Sequence, residues 1–498
     1  MTRKRNEKVL VIGGGLGGLS AAAALAAEGF QVELFEKNDH LGGKLCELET
    51  EGFKFDLGPS IIILPQLFRR IWTRAGRVME DYVRLEEVTP QWRSFWEDGT
   101  VLDLHPDMAR MEKELEKLGQ RAEGYWAFME YSRMLWKFAE EAYLERGADT
   151  LGEVMKGHSL IEVAKRTDLF SSMDAGVRRY VSEPHVVDML NFFIKYVGSS
   201  AYDSPAILNL LPYSQLGYGL WYVQGGMYNL ARGLRRLLED LGVVLHLGTE
   251  VTSIDKQGGK VTGLRTADGD RHQCDIIVSN MEVIPAYQRL LGDGGRMRVK
   301  LYERIFEPAC SGLVLHIGLD RVFPEVHHHN FVFSRDPRQH WHQVHHLKEI
   351  PDDPTLYLVS PTVTNPALAP KGHSILKVLP HIPYCQEPPF SQGDYERLKE
   401  RCYDKLERIG LKGLREAIVV EHMLTPEDLL ERYYSNRGAI YGVVSDRSKN
   451  YALRAPKQSA IYENLFFVGG SVNPGGGTCM VVLSGQKACD LIVEKYGG

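Results

Sequence analysis

Gly13, Gly15 and Gly18 stand at the spacing G-x-G-x-x-G, directly after the apolar run Lys8-Val9-Leu10-Val11-Ile12. That pattern does one kind of chemistry: it holds a pyrophosphate. Gly13 makes the tight turn, Gly15 lets backbone approach the phosphates, and Gly18 lets the next helix pack on the strand. Leu16 lies inside the turn, where amides at a helix start face the anion. A second apolar run from Gln31 ends at Glu36, 18 residues after Gly18. A carboxylate there accepts hydrogen bonds from a ribose hydroxyl, with Lys37 beside it.

Two further glycine elements extend the site. Leu41-Gly42-Gly43-Lys44 predicts a second backbone approach to the diphosphate, with Lys44 as a countercharge. Far along the chain, Phe466-Phe467-Val468-Gly469-Gly470-Ser471 reads as an apolar strand ending in glycine, and Asn473-Pro474-Gly475-Gly476-Gly477 leads into a helix from about Cys479 to Tyr496. A helix start aimed at a flavin places positive dipole where negative charge develops on reduction. On this reading Met480 and Val481 offer amides, while Gly470, Ser471 and Gly477 lie against the cofactor. Asn473 is the candidate catalytic group, a neutral hydrogen-bonding side chain beside the flavin ring.

These motifs need particular elements around them. Strand, glycine turn, helix of small residues and second strand make a Rossmann-like α/β unit. The expected organisation is discontinuous. Cofactor-binding segments span 1–100, 222–285 and 441–498, a helical substrate or membrane-facing part spans 101–221, and a second substrate part spans 286–440. Residues 106–200 carry many aromatics at helical spacing, read as core. The greasy stretches Met189–Gly198 and Pro205–Tyr213 are expected to line an apolar tunnel or to dip into a membrane surface. Asp268-Gly269 predicts a hairpin turn after Val261–Thr266, and Pro351–Pro389 reads as a proline-rich connection.

A net charge of −6 supplies no basic excess for nucleic acid. Seven scattered cysteines with no CxxC pair suit a reducing cytosol. The start has no signal-peptide pattern, and no apolar run reaches the roughly 18 residues of a membrane span. Seven histidines fall between His327 and His346. No completing ligand spacing accompanies them, so no metal site is expected, and the segment reads as a solvated loop near the substrate entrance.

Taken together, the quoted motifs resemble the bacterial carotenoid desaturase and oxygenase family. The similarity also runs through Phe55-Asp56-Leu57-Gly58-Pro59, Gln224-Gly225-Gly226-Met227 and Pro361-Thr362-Val363-Thr364-Asn365-Pro366. The resemblance implies an amine-oxidase-like fold, non-covalent FAD, contacts from Gly58, Pro59, Ser60 and the adenine-side Val251, a long polyene substrate, and peripheral attachment to the inner face of the membrane. Desaturases of this family carry His-Pro-Gly-Gly-Gly and Ser-Asn-Ala-Asp. This chain has Asn473 before Pro474, and Ser279-Asn280-Met281-Glu282. Both departures resemble the branch that oxidises the terminal methyl of diapocarotenoids. Desaturation is the alternative, and a flavin-free isoprenoid-binding protein of the GDP-dissociation-inhibitor type is the alternative from outside enzymology.

Overall fold

Lys8–Ile12 becomes the middle strand of a five-stranded parallel sheet, which is why its last four side chains are buried. The sheet order is Leu465–Phe467, Ile276–Ser279, Lys8–Ile12, Gln31–Phe35 and Val244–His246. Neighbouring strands thus come from far apart in the chain. The computed structural model describes residues 5–156, 159–168 and 170–497.

Alternation along the strands separates two cores. Val9 and Val11 face helices Leu16–Ala27 and Thr478–Tyr496. Leu10 and Ile12 face the other way, onto the antiparallel meander Val251–Gln257, Lys260–Thr266 and Arg271–Gln273 and the helices Val283–Arg289 and Arg296–Ile305. Small residues let the first and last helices approach closely: a methyl added at Gly485 would lie 2.5 Å from the Gly17 carbonyl oxygen. The Ser20 hydroxyl donates to the Val482 carbonyl at 2.7 Å across the same seam.

A second, larger sheet stands over the carboxyl end of the first. Its order is Ile418–Leu424, Val314–Leu319, Ser374–Ile382, Leu356–Val359, His329–Val332, Trp92–Phe95 and Val101–Leu104, and Ser311–Gly312 pairs with Ser374–Ile382. Its pairings are antiparallel except that between His329–Val332 and Trp92–Phe95. Two of these strands correct the expected proline-rich connection. Leu356–Val359 and Ser374–Ile382 are buried along their whole length, and the prolines between 351 and 389 punctuate central strands.

Helices between Met108 and Leu216 cap this sheet, with Tyr125, Phe128, Tyr131, Trp136 and Phe138 in the core. Residues 192–194 are also buried, so Met189–Gly198 is no membrane-dipping surface. Among the described residues, no helix is long and apolar enough to cross a membrane.

Candidate functional site

One cavity of about 2050 Å³, counting its open mouths, runs between the two sheets. Its walls include Gly13, Gly15, Leu16, Glu36, Lys37, Gly43, Lys44, Gly58, Pro59, Ser60 and Val251 from the early segments, and Gly470, Gly477 and Val481 from the late one. The opposite wall is the large sheet, through Val314, Tyr357, Lys377, Leu379 and Leu424.

The glycine turn is held from several sides. Gly13 adopts φ +93°, a region L side chains rarely enter. The Gly13 amide donates to the Phe35 carbonyl at 2.8 Å. The Gly14 amide donates to Glu36 Oε2 at 2.7 Å, and the Asn38 amide and side chain donate to Glu36 Oε1 at 2.9 and 2.8 Å. Glu36 therefore fixes the turn as well as facing the cavity. A Cβ at Gly18 would lie 2.1 Å from the Gly13 oxygen, and one at Gly15 would lie 2.6 Å from Asn280 Nδ2. Asn280 Oδ1 in turn accepts from the Gly18 amide at 3.1 Å. Gly43 adopts φ +59°, and a Cβ added there would lie 3.1 Å from Gly15 Cα. The second backbone approach is thus against the first.

Lys44 is no solvated lysine. Its ammonium donates to the Ala439 and Ile440 carbonyls, both at 2.9 Å, and lies 3.9 Å from Glu282. Burial lowers its pKa, partly offset by Glu282. Lys377 braces the facing loop, donating to the Asp56 carbonyl at 3.2 Å, Ser60 Oγ at 3.1 Å and the Gly58 carbonyl. Burial brings Lys377 down to about 8, against the pull of Asp56.

At the late cluster, a Cβ at Gly476 would lie 2.1 Å from the Tyr441 carbonyl, whereas one at Gly477 would have clear space to 3.9 Å. Helix Thr478–Tyr496 begins there, and the first amides of a helix have no intrahelical partner. Val481 is not among the free ones, because its amide donates to the Gly477 carbonyl at 2.8 Å. The available amides are those of Thr478, Cys479 and Met480. Gly18, Ser471 and Met480 stand just behind the wall, and the Ser471 hydroxyl accepts from the Val283 amide at 3.0 Å.

Asn473 requires a correction: it does not line the cavity. It is 1% exposed, and its Oδ1 accepts from Tyr143 at 2.7 Å and the Arg454 amide at 2.9 Å. Its Nδ2 donates to the Asp149 and Arg454 carbonyls at 3.1 and 3.2 Å. All of its hydrogen-bonding capacity is used in bracing the loop before Pro474.

The histidine segment is corrected as well. His328 and His329 are buried, beside and on a strand of the large sheet, and His340 is buried in the helix Pro337–His342. Burial depresses His328 to about 3, and likewise His381, on the strand Ser374–Ile382 one strand beyond Leu356–Val359. None of the seven belongs to the groups of ligand-spaced side chains among the described residues, which are Glu33 with His246 and His272, and Asp103 with His105 and Glu114.

Asn280, Lys377 and Lys195 are cavity residues that motif reading passed over. Each had a signal. Asn280 follows the carboxyl end of a parallel strand, where ligands of such sheets bind. The two lysines are lone charges inside apolar runs, Phe192-Phe193-Ile194-Lys195-Tyr196-Val197 and Ser374-Ile375-Leu376-Lys377-Val378-Leu379.

Side chains at Gly15 and Gly43 would fill the approach a diphosphate needs, and two helix starts face the same cavity. These features fit a dinucleotide and define a flavoprotein built on one parallel sheet and closed by its last helix. The chain belongs to the flavin-containing amine oxidoreductase family, whose profile matches residues 16–493. It is an FAD-dependent oxidoreductase. A 4,4'-diapolycopene oxygenase from Methylomonas sp is 50% identical over 495 residues, covering 99% of both chains. A 4,4'-diaponeurosporene oxygenase from Staphylococcus haemolyticus is 46% identical, covering 98% of this chain and 97% of that one. A solved structure of putrescine oxidase has a TM-score of 0.65 at 15% identity, over 98% of this chain and 99% of that one, a likeness of fold.

Proposed function

We propose that this protein oxidises the terminal methyl group of a linear diapocarotenoid, diapolycopene or diaponeurosporene, to an aldehyde or acid. The observation that carries the reading is full-length similarity, at 50% and 46% identity, to enzymes named for oxygenation of those two carotenoids. The cavity supports it. Part of its wall is apolar and aromatic, with Ile61, Leu379, Leu424, Tyr357 and Tyr441 among the lining residues. A polyene offers no polar handle, so its binding must come from apolar burial.

On this reading FAD would be held by Gly13, Gly15, Leu16, Glu36, Gly43, Val251, Gly470, Gly476, Gly477 and Thr478. When bound, the flavin supplies two-electron redox chemistry that no side chain here can provide. The chain's own residues position and shield. Glu36 and Asn280 lock the turn, Lys377 ties the Asp56–Ser60 loop to the large sheet, and Tyr357, Leu379 and Leu424 keep water from the polyene end. Methyl oxidation to the aldehyde balances with one dioxygen, R–CH3 + O2 giving R–CHO + H2O.

We further propose that the substrate is drawn from the inner face of the membrane. Phe170 is 81% exposed and Ile161 69% exposed. Arg447 donates to the Phe170 carbonyl at 3.2 Å, and Arg179 lies beside it through Ser171. An exposed aromatic next to cations suits an anionic lipid surface.

The test gives purified holoenzyme diapolycopene, diaponeurosporene and, separately, diapophytoene, with dioxygen present and absent. Aldehyde formed only with dioxygen is the expected result. New double bonds on diapophytoene, without aldehyde from the other two, would replace this reading with desaturation.

A further inference from the structure

Lys195 is 3% exposed, lines the cavity, and its side chain has no hydrogen-bond or ion-pair partner among the described residues. Its Nζ lies instead among four aromatic rings. The centroid distances are 3.9 Å to Tyr196, 4.8 Å to Tyr357, 5.2 Å to Trp92 and 5.3 Å to Phe331. The rings favour the ammonium through their negative faces, while burial lowers its pKa well below that of a free lysine. Either form donates hydrogen bonds. The other cavity-lining lysines with buried amines, Lys44 and Lys377, both use theirs on backbone carbonyls.

The cage also sits at the flavin end. The Tyr196 carbonyl is 3.9 Å from the position a Cβ would take on Gly477, at the start of the last helix. Of the four rings, Tyr196 and Tyr357 line the cavity and have their own partners, while Trp92, whose buried Nε1 has none among the described residues, stands behind the wall. Tyr196 donates to Gln215 at 2.6 Å, and the Tyr357 hydroxyl pairs with His329 Nδ1 at 3.0 Å. Among the cage side chains that line the cavity, the uncommitted donor is the Lys195 amine.

A hydrocarbon chain end gains nothing from a buried amine. An oxidised chain end does, because its oxygen would satisfy a polar group that is costly to leave unpaired. We propose that Lys195 is a specificity-determining residue that hydrogen-bonds the oxygen of an oxygenated polyene terminus, holding an aldehyde-ended chain in the cavity in preference to its hydrocarbon parent. The inference rests on the function proposed above for this cavity.

The probes are a linear polyene hydrocarbon and its terminal aldehyde of equal length, in detergent with the oxidised holoenzyme. In the wild type, the aldehyde's carbonyl stretch, read by Raman scattering, shifts down on binding relative to detergent alone. Lys195→Met, similar in length and lacking the amine, abolishes the shift. It weakens aldehyde binding about 10- to 100-fold, the range for one hydrogen bond from a charged donor, and changes hydrocarbon binding less than about 3-fold. Lys195→Gln, which keeps an N–H donor on a shorter stem, restores part of the shift. An unshifted carbonyl in the wild type, or equal loss of both ligands in Lys195→Met, overturns the proposal. If neither polyene binds the wild type, the carotenoid reading itself fails, and this inference with it.

Discussion

The two ends of the cavity are finished in opposite ways. At the dinucleotide end the polar groups are paired with the chain itself. Glu36 takes three donors, Asn280 holds the Gly18 amide, and Lys44 is tied to two carbonyls. At the aromatic end, Lys195 stands among rings with no partner in the described residues, and behind the wall the buried histidines His328, His329 and His381 keep nitrogens without partners. The first end is a rigid cradle whose shape alone selects its ligand. The second end presents one uncommitted amine among aromatic rings, so the bound chain decides how it is satisfied.

The largest expected break in this contrast is Gly18→Val. Its Cβ would meet the Gly13 carbonyl at 2.1 Å, and the purified protein should carry no yellow cofactor. Gly15→Val should do the same through its clash with Asn280, and undiminished flavin absorbance in both variants would contradict the cradle.

At the aromatic end the prediction concerns pH. His328 and His381 are held neutral, with burial depressing both to about 3, whereas an unfolded histidine titrates near 6.5. The unfolded state therefore binds more protons between those values. The stability these two contribute is fully present above about pH 6.5 and is lost as pH falls toward 3. Together they give a slope of about 3 kcal/mol per pH unit within that window. Denaturant midpoints measured from pH 7 to 4 should fall steeply, and less so in a variant with both histidines changed to phenylalanine. A flat profile would show that these nitrogens are solvated.

A smaller effect is expected for Asn280→Leu. Losing the acceptor for the Gly18 amide costs about 1–3 kcal/mol, read as weaker flavin retention on dilution while the fold persists. The smallest belongs to Gly477→Ala. That residue has φ −68° and open space around its Cβ position, so flavin affinity should change less than about 3-fold by fluorescence titration. Loss of the flavin there would place the cofactor hard against Gly477 and make the late cluster as strict as the early one.

This difference also explains what was legible in the sequence. The glycine turn and Glu36 could be read because their geometry is local, fixed by a few residues of spacing. Asn280 and Lys377 carried only weak local signals, and what they hold could not be read, since their partners lie 262 and 317–321 residues away. The histidine run misled in part because polarity was taken for exposure: pairing of His329–Val332 with Leu356–Val359 buries His328 and His329, while His342 and His346 stay exposed. Prolines hid two central strands for the same reason: a nine-residue buried run tolerates Pro380 when its neighbours complete the ladder. Asn473 gave a correct sign of the family branch, yet its side chain turned out to brace a loop.

The seam between Gly17 and Gly485 has a consequence for biosynthesis. The first helix leaves the ribosome early but cannot cover its small-residue face until the last one arrives, more than 460 residues later. The centre strand likewise waits for Ile276–Ser279 and Leu465–Phe467. Such distant pairings close slowly. The nascent chain must therefore carry an open, apolar half-sheet through nearly all of translation, and cofactor capture becomes one of the last events of folding.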